Sequence, residues 1–174
     1  MNLSSALIVN KLSGMFYFDL IGKVDETLLL SRPVFLTPKT RPRNNGIYIG
    51  TFRKKADLPA QKIHSLLITS GRLLEEIKNA FDCILAFSDE TALTESVNYL
   101  HSLFSIYDSW LQDVSDMTRN GCSLRELLDR SQSVFSNPLL IHDDNFHFIA
   151  YSSFIDSSPK LSFLVDEEQT AEIL

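Results

Sequence analysis

The chain has 174 residues but only two cysteines, six glycines, six prolines and one tryptophan. Two cysteines cannot build a disulfide framework or a four-ligand zinc site. The glycines include no G-x-G-x-x-G and no Walker loop, so the usual phosphate-cradling fingerprints are missing. Positive charge is scarce: 16 Lys+Arg face 22 Asp+Glu, a formal net charge of −6. Gripping DNA or RNA unaided draws on clustered positive charge, which this balance does not supply. No apolar run approaches the ~18–20 residues that span a bilayer. The apolar start at Met1 is broken by Ser4, Ser5, Asn10 and Lys11 and has no early basic cluster, unlike a signal peptide. The expectation is a cytoplasmic chain with no membrane partner.

What is present suits a packed core. At 44% hydrophobic, 22% charged and 10% aromatic, the composition excludes disorder and low complexity. The length fits one ordinary domain, or a small domain with a piece of another.

Leu3, Leu7, Ile8 and Leu12 recur at helical spacing before Gly14, which predicts a short helix over 3–13. Extended runs follow at Phe16-Tyr17-Phe18, Leu28–Leu36 and Ile47-Tyr48-Ile49, with a tight-turn signal, Asn44-Asn45-Gly46, between the last two. Ala56–Ala60, containing Pro59, reads as a loop. Ser65–Thr69 and Cys83–Phe87 are short continuous apolar runs, as in strands covered on both faces of a parallel sheet. Leu73, Leu74, Ile77 and Phe81 between them have helical spacing, enough for a right-handed crossover. Residues 45–87 therefore read as a small α/β unit.

The strongest element covers 90–118. Leu93, Val97, Leu100, Phe104, Tyr107, Leu111 and Val114 alternate steps of four and three, a heptad seam. Tyr99, Leu103, Ile106, Trp110 and Met117 form a second line beside it. Together they cover an arc of roughly 160°, wider than a two-helix seam requires. The seam is accordingly the candidate dimer interface; a single helix buried in a monomer core is the simpler alternative. Asn120-Gly121 ends this helix, and Ser123 with Glu126 forms a capping box for the next, which stops before Asn137-Pro138. A hairpin is expected from Leu139–His142, a turn at Asp143-Asp144-Asn145, and Phe146–Tyr151. Beyond a loop at Ser157–Lys160, Leu161–Val165 suits a strand, and Asp166-Glu167-Glu168 suits a helix start. That last element breaks off at Leu174, so the chain reads as a fragment.

Candidate chemistry is sparse. Ser70-Gly71 and Ser88-Asp89 follow the two parallel strands, at ends leading into helix N-termini, where small anions and polar ligands bind. His142 and His147 flank the hairpin turn beside Asp143 and Asp144, a candidate metal or proton site for which a plain polar turn is the simpler reading. Cys83 reads as core; Cys122, near a helix start, reads as packing with an activated thiol as the alternative. Lys39, Arg41, Arg43, Arg53, Lys54 and Lys55 form a basic stretch that reads either as an anion site or as a solvated turn guarding edge strands. No nucleophile elbow, Ser/His/Asp order or carboxylate pair stands out, so the expectation is a non-enzyme without metal or cofactor.

Several segments resemble the N-terminal regulatory part of bacterial transcription factors of the purine-catabolism-regulator (PucR-like) type and their carbohydrate-diacid-regulator relatives. They are Leu29–Phe35, Ile47–Gly50, Asp57-Leu58-Pro59, Ser65–Thr69 and, more closely, Ser123–Leu128, Asn137–Asp143 and Phe148–Ser152. The last group resembles the opening of a PAS/GAF-like sensor module, which usually needs on the order of a hundred residues. The resemblance implies a ligand-responsive regulator whose helix-turn-helix, absent from this sequence, lies C-terminal. The expected architecture is α/β (α+β): a small mixed-sheet input domain over 1–89, a dimerising and signalling helix over 90–120, and the start of a PAS/GAF-like module over 121–174. The expected partners are a second copy and a small effector, contacting Ser70, Gly71 and Ser88 and, in the hairpin, His142 and Tyr151. DNA would be reached only through the absent domain. The alternatives are an interaction scaffold without ligand, or a small α/β enzyme using Ser70, Ser88 or His64.

Overall fold

The computed structural model describes residues 1–37, 39–51, 58–71, 73–135, 137–145, 147–158 and 160–161. In chain order the elements are β1 (Leu3–Ser4), α1 (Ser5–Ser13), β2 (Asp19–Gly22), β3 (Leu29–Leu30), β4 (Pro33–Phe35), β5 (Ile47–Ile49) and β6 (Ile63–Ser70). Then follow α2 (Glu75–Ala80), β7 (Phe81–Phe87), α3 (Glu90–Arg119), α4 (Leu124–Phe135), β8 (Leu140–His142), β9 (Phe148–Tyr151) and α5 (Ser153–Ser157). The class is mixed α/β. The chain divides into two compact units, Met1–Ser105 and Ile106–Leu174. Among the described residues no helix is long and apolar enough to cross a membrane.

The first unit is built on a five-stranded sheet ordered β2-β7-β6-β5-β4. β4, β5, β6 and β7 are parallel to their neighbours, and β2 closes one edge antiparallel to β7. The continuous apolar runs become the central strands β6 and β7, with Leu67 opposite Ile84 and Ile68 opposite Leu85. Because β4 to β7 lie side by side in sequence order, right-handed crossovers place every connection on one face. Leu36, Leu58 and Leu73, one from each connection, pack there against Tyr48, Leu67, Phe81 and Ile84, together with Ile77 of α2.

Alternation puts Ile47, Ile49, Leu66, Ile68, Cys83, Leu85 and Phe87 on the opposite face, all of them buried. The apolar side chains available to cover that face are Ile8 and Leu12 of α1 and Val97, Leu100 and Phe104 of α3, every one buried. Phe16 joins the layers, meeting the Phe87 ring at 6.3 Å and the Tyr99 ring at 6.0 Å. The expected seam is therefore corrected over its first half. Val97, Leu100 and Phe104 belong to the chain's own core, since the sheet's second face needs a cover. Tyr107 is buried as well, Leu93 and Val114 are half-buried, and Leu111 is 48% exposed.

Two further expectations are corrected. The strand near the N-terminus is Asp19–Gly22, not Phe16–Phe18, because backbone pairing with β7 begins at Asp19↔Ala86. Asn44-Asn45-Gly46 does form a turn, with Asn45 at φ +65°, but the flanking strands β4 and β5 run parallel, so it is a strand entry and not a hairpin. Asn45 ties that entry down, its amide donating to Leu29 O at 2.9 Å.

In the second unit, the later turns of α3 and α4 form an antiparallel pair. Trp110 Nε1 donates to Ser131 Oγ at 3.1 Å, and Arg130 Nε donates to Asp113 Oδ2 at 2.9 Å. The turn between them is a Schellman motif: Cys122 N–H bonds Met117 O, Gly121 N–H bonds Thr118 O, and Gly121 takes φ +75°. The expected capping box is present, Ser123 N–H donating to Glu126 Oε2 at 2.8 Å and Glu126 N–H to Ser123 Oγ at 3.3 Å. The hairpin β8–β9 follows, antiparallel, with Ile141 opposite Ala150. α5 was not expected from the sequence. The expected strand and helix beyond residue 161 lie outside the described residues, as do Ala56 and Asp57 of the expected loop.

Candidate functional site

The C-terminal ends of β6 and β7 are neighbours, Ser70 standing opposite Phe87. From there the chain departs in two directions. After β6 it passes to the α2 face through Leu73, and after β7 it enters α3, whose buried residues belong to the other face. Adjacent parallel strands whose connections leave on opposite faces open a crevice at their carboxyl ends. A cleft of about 400 Å³ lies there, lined by Tyr17, Phe18, Asp19, Gly71, Ala86, Phe87 and Ser88. Two of the expected ligand residues, Gly71 and Ser88, meet in it, whereas Ser70, one residue before Gly71, is not part of its lining.

Phe18 is held against Phe87, ring centroids 5.4 Å apart, which fixes the start of β2. Tyr17, one residue earlier, is 98% exposed at the mouth. Ser88 Oγ donates to Asp89 Oδ2 at 3.1 Å. Asp89 Oδ1 accepts the Ala92 N–H at 2.8 Å and so caps α3. That backbone hydrogen bond, with Ser88's hydroxyl second, holds the Asp89 carboxyl below the ordinary aspartate range. The floor of the crevice is thus continuous with the first turn of the 30-residue helix.

His142 and Tyr151 belong to the second unit. His142 Nδ1 lies 2.8 Å from Asp143 O. The Asp143 carboxylate accepts Asn145 N–H and His147 N–H, each at 2.8 Å, and pairs with His147 Nδ1 at 3.1 Å. These bonds, that from the His147 backbone first, lower the Asp143 pKa. The turn's polar groups satisfy one another, and no group of three or more metal-ligating side chains occurs among the described residues. Tyr151 lines a separate groove of about 400 Å³ with Ser123, Leu124, Arg125, Ile149 and Ala150. The Arg125 guanidinium lies 5.2 Å from the Tyr151 ring centroid and is paired with Asp156, whose hydrogen bond raises the arginine pKa. The groove's cation is already neutralised.

His64 Nδ1 does meet a carboxylate, Asp82 Oδ2, at 2.6 Å, with Lys62 3.2 Å from the same group. Both partners are at the starts of β6 and β7. Six residues of strand at about 3.3 Å each put His64 about 20 Å from Ser70. Cys83 is buried, and burial pushes its thiol up to about 11, beyond use as a nucleophile at neutral pH. Of the basic stretch, Arg53, Lys54 and Lys55 lie outside the described residues. Arg41 lines a cleft of about 510 Å³ with Pro42 and Leu58–Gln61.

The sequence reading missed Tyr17, Phe18 and Asp19. The aromatic run was visible, but its place beside Ser88 follows only from the antiparallel pairing of β2 with β7. Comparison with protein-family models, with curated proteins and with solved structures returns no match.

Proposed function

We propose that this chain is the sensory, regulatory part of a bacterial transcription regulator of the purine-catabolism-regulator type, and that the β6–β7 crevice is its effector site. The observation that carries this reading is the junction Phe87-Ser88-Asp89: one residue lining the crevice is followed directly by the residue that caps α3. A ligand touching Ser88 acts on the cap, and the helix continues into the second unit. Such a ligand shifts an equilibrium only through different affinity for two states of that junction. DNA contact belongs to a helix-turn-helix outside this sequence, and the site of action is the cytoplasm. Pairing of two copies falls to the later turns of α3, where Ile106 and Leu111 are about half exposed. The His64–Asp82 pair, which an enzyme would call on, is at the opposite end of the sheet, and this favours sensing over catalysis.

A thermal-shift screen with purines, ureides, sugar acids, amino acids and amines tests the proposal. A ligand at one hundred times its dissociation constant adds about 2.7 kcal/mol of stability. The shift should vanish when Ser88→Trp fills the crevice. A ligand whose effect survives that substitution, or no ligand at all, overturns the sensor reading in favour of a scaffold. DNA binding by this chain should be negligible at physiological salt.

A further inference from the structure

Resting on the reading of the β6–β7 crevice as the effector site, we propose that it takes a small organic cation: an amine, amidine or guanidine attached to a compact apolar or aromatic body. Several observations converge.

Asp19 brings an exposed carboxylate into the cleft and forms no ion pair among the described residues. It stands at the first position of β2, where pairing with Ala86 fixes the backbone that carries the charge. Tyr17 presents an aromatic side chain that is 98% exposed, while Phe18 beside it is anchored on Phe87. Phe18 is thus anchored, and the ring before it is bare. An aromatic ring and a carboxylate two residues apart, both lining one cleft, are the pair of groups that bind an organic cation, the ring through its quadrupole and the carboxylate through charge.

An anion is disfavoured at the same place. The N-terminus of α3 would ordinarily attract one, but the Asp89 carboxylate already occupies it, bonded to Ala92 N–H. Glu90 follows in the first turn. An incoming carboxylate or phosphate would meet Asp19 in the lining and find the helix start beyond Ser88 already taken by Asp89, and no lysine or arginine lines the cleft among the described residues. The volume, about 400 Å³, suits a single small molecule. Ser88 Oγ, already turned toward Asp89, supplies a hydrogen-bonding group for an N–H of the ligand.

The test uses the whole chain and pairs of probes alike in size and opposite in charge: benzamidine against benzoate, and tyramine against 4-hydroxyphenylacetate. Isothermal titration gives the affinity, and backbone amide shifts give the location. The expected result is that the cations bind and move the amides of residues 17–19, 71 and 86–88, whereas the anions do not. Asp19→Asn should weaken the cations about ten-fold, Tyr17→Ala should weaken them several-fold, and added salt should weaken them in the wild type. Both side chains are exposed, so both variants should keep the far-ultraviolet spectrum of the parent. Anions that bind at these amides while cations do not would overturn the charge assignment and leave the crevice standing as the effector site. Cations that shift amides elsewhere, or no binding by any probe together with a screen ligand insensitive to Ser88→Trp, would overturn the inference and the site reading together. Equal binding to wild type and Asp19→Asn would also overturn it.

Discussion

Asp89 Oδ1 accepts the backbone N–H of Ala92 at 2.8 Å, closing the first turn of α3 two residues after the end of the central strand β7. The bond favours the ionised carboxyl, which is why its folded-state pKa lies below the ordinary aspartate range. A depressed folded pKa gives a contribution that is complete above the ordinary aspartate range and disappears as pH falls through the folded value. The wild type should therefore lose stability on acidification faster than Asp89→Asn, whose amide oxygen still caps the helix. Urea midpoints measured from neutral to strongly acidic buffer check this. Parallel curves for the two proteins would remove the cap from the account.

Leu100 has no exposed surface, whereas Leu111 is 48% exposed on the same helix. A charge at Leu100 would be buried without a partner, so Leu100→Asp should cost several kcal/mol and unfold the first unit. Leu111→Asp should stay within about 0.5 kcal/mol and leave the fold intact. Circular dichroism reads the first effect. Light scattering on the folded Leu111→Asp variant reads whether the later turns of α3 mediate pairing.

Gly22 adopts φ +92°, and a Cβ there would sit 2.0 Å from the carbonyl oxygen of Asp82. The backbone of the β2–β7 pair would have to part to admit it. Gly22→Ala should therefore destabilise by about 1–3 kcal/mol or more. Gly14, at φ −73°, has no atom nearer than 3.7 Å to its would-be Cβ. Gly14→Ala should be neutral or stabilising by about 0.4–1 kcal/mol, through lost freedom in the unfolded chain. Denaturant melts of the pair distinguish the two positions.

The two thiols should react in sequence. Cys83 is buried with its pKa pushed up to about 11 by desolvation, with Asp82 adding to the effect, while Cys122 is half-buried in the α3–α4 turn. Under native conditions a disulfide reagent such as Ellman's should titrate one thiol, lost in Cys122→Ser. The second should appear only in denaturant. Two fast thiols in the native protein would mean that the first unit opens readily.

Ser131 accepts from Trp110 Nε1 and donates to Leu127 O at 2.8 Å. Ser131→Ala leaves the indole N–H without this partner and should cost about 0.5–1.5 kcal/mol. Fluorescence of Trp110, the chain's single tryptophan, follows the loss directly.

Local patterning carried much of the fold. The four-and-three spacing over 90–118, the Gly121 stop and the Ser123/Glu126 capping box each act within a few residues of chain, so their hydrogen bonds and periodicity are written where they form. The two apolar runs at 65–69 and 83–87 announced a buried parallel pair because strands covered on both faces have no polar side to alternate. What covers a face is a different matter. Periodicity groups Val97, Leu100 and Phe104 together, but a helix and a sheet offer them the same apolar contact, and only the packing of α3 within the first unit made them core. The parallel alignment of β4 with β5, and the arrival of β2 beside β7, join segments distant in sequence through backbone bonds that any residue can make. No local pattern encodes them. The crevice follows from that same pairing: Ser70, Gly71 and Ser88 were legible as strand ends, whereas Tyr17 and Asp19 became part of the site only when the tertiary structure set them against it.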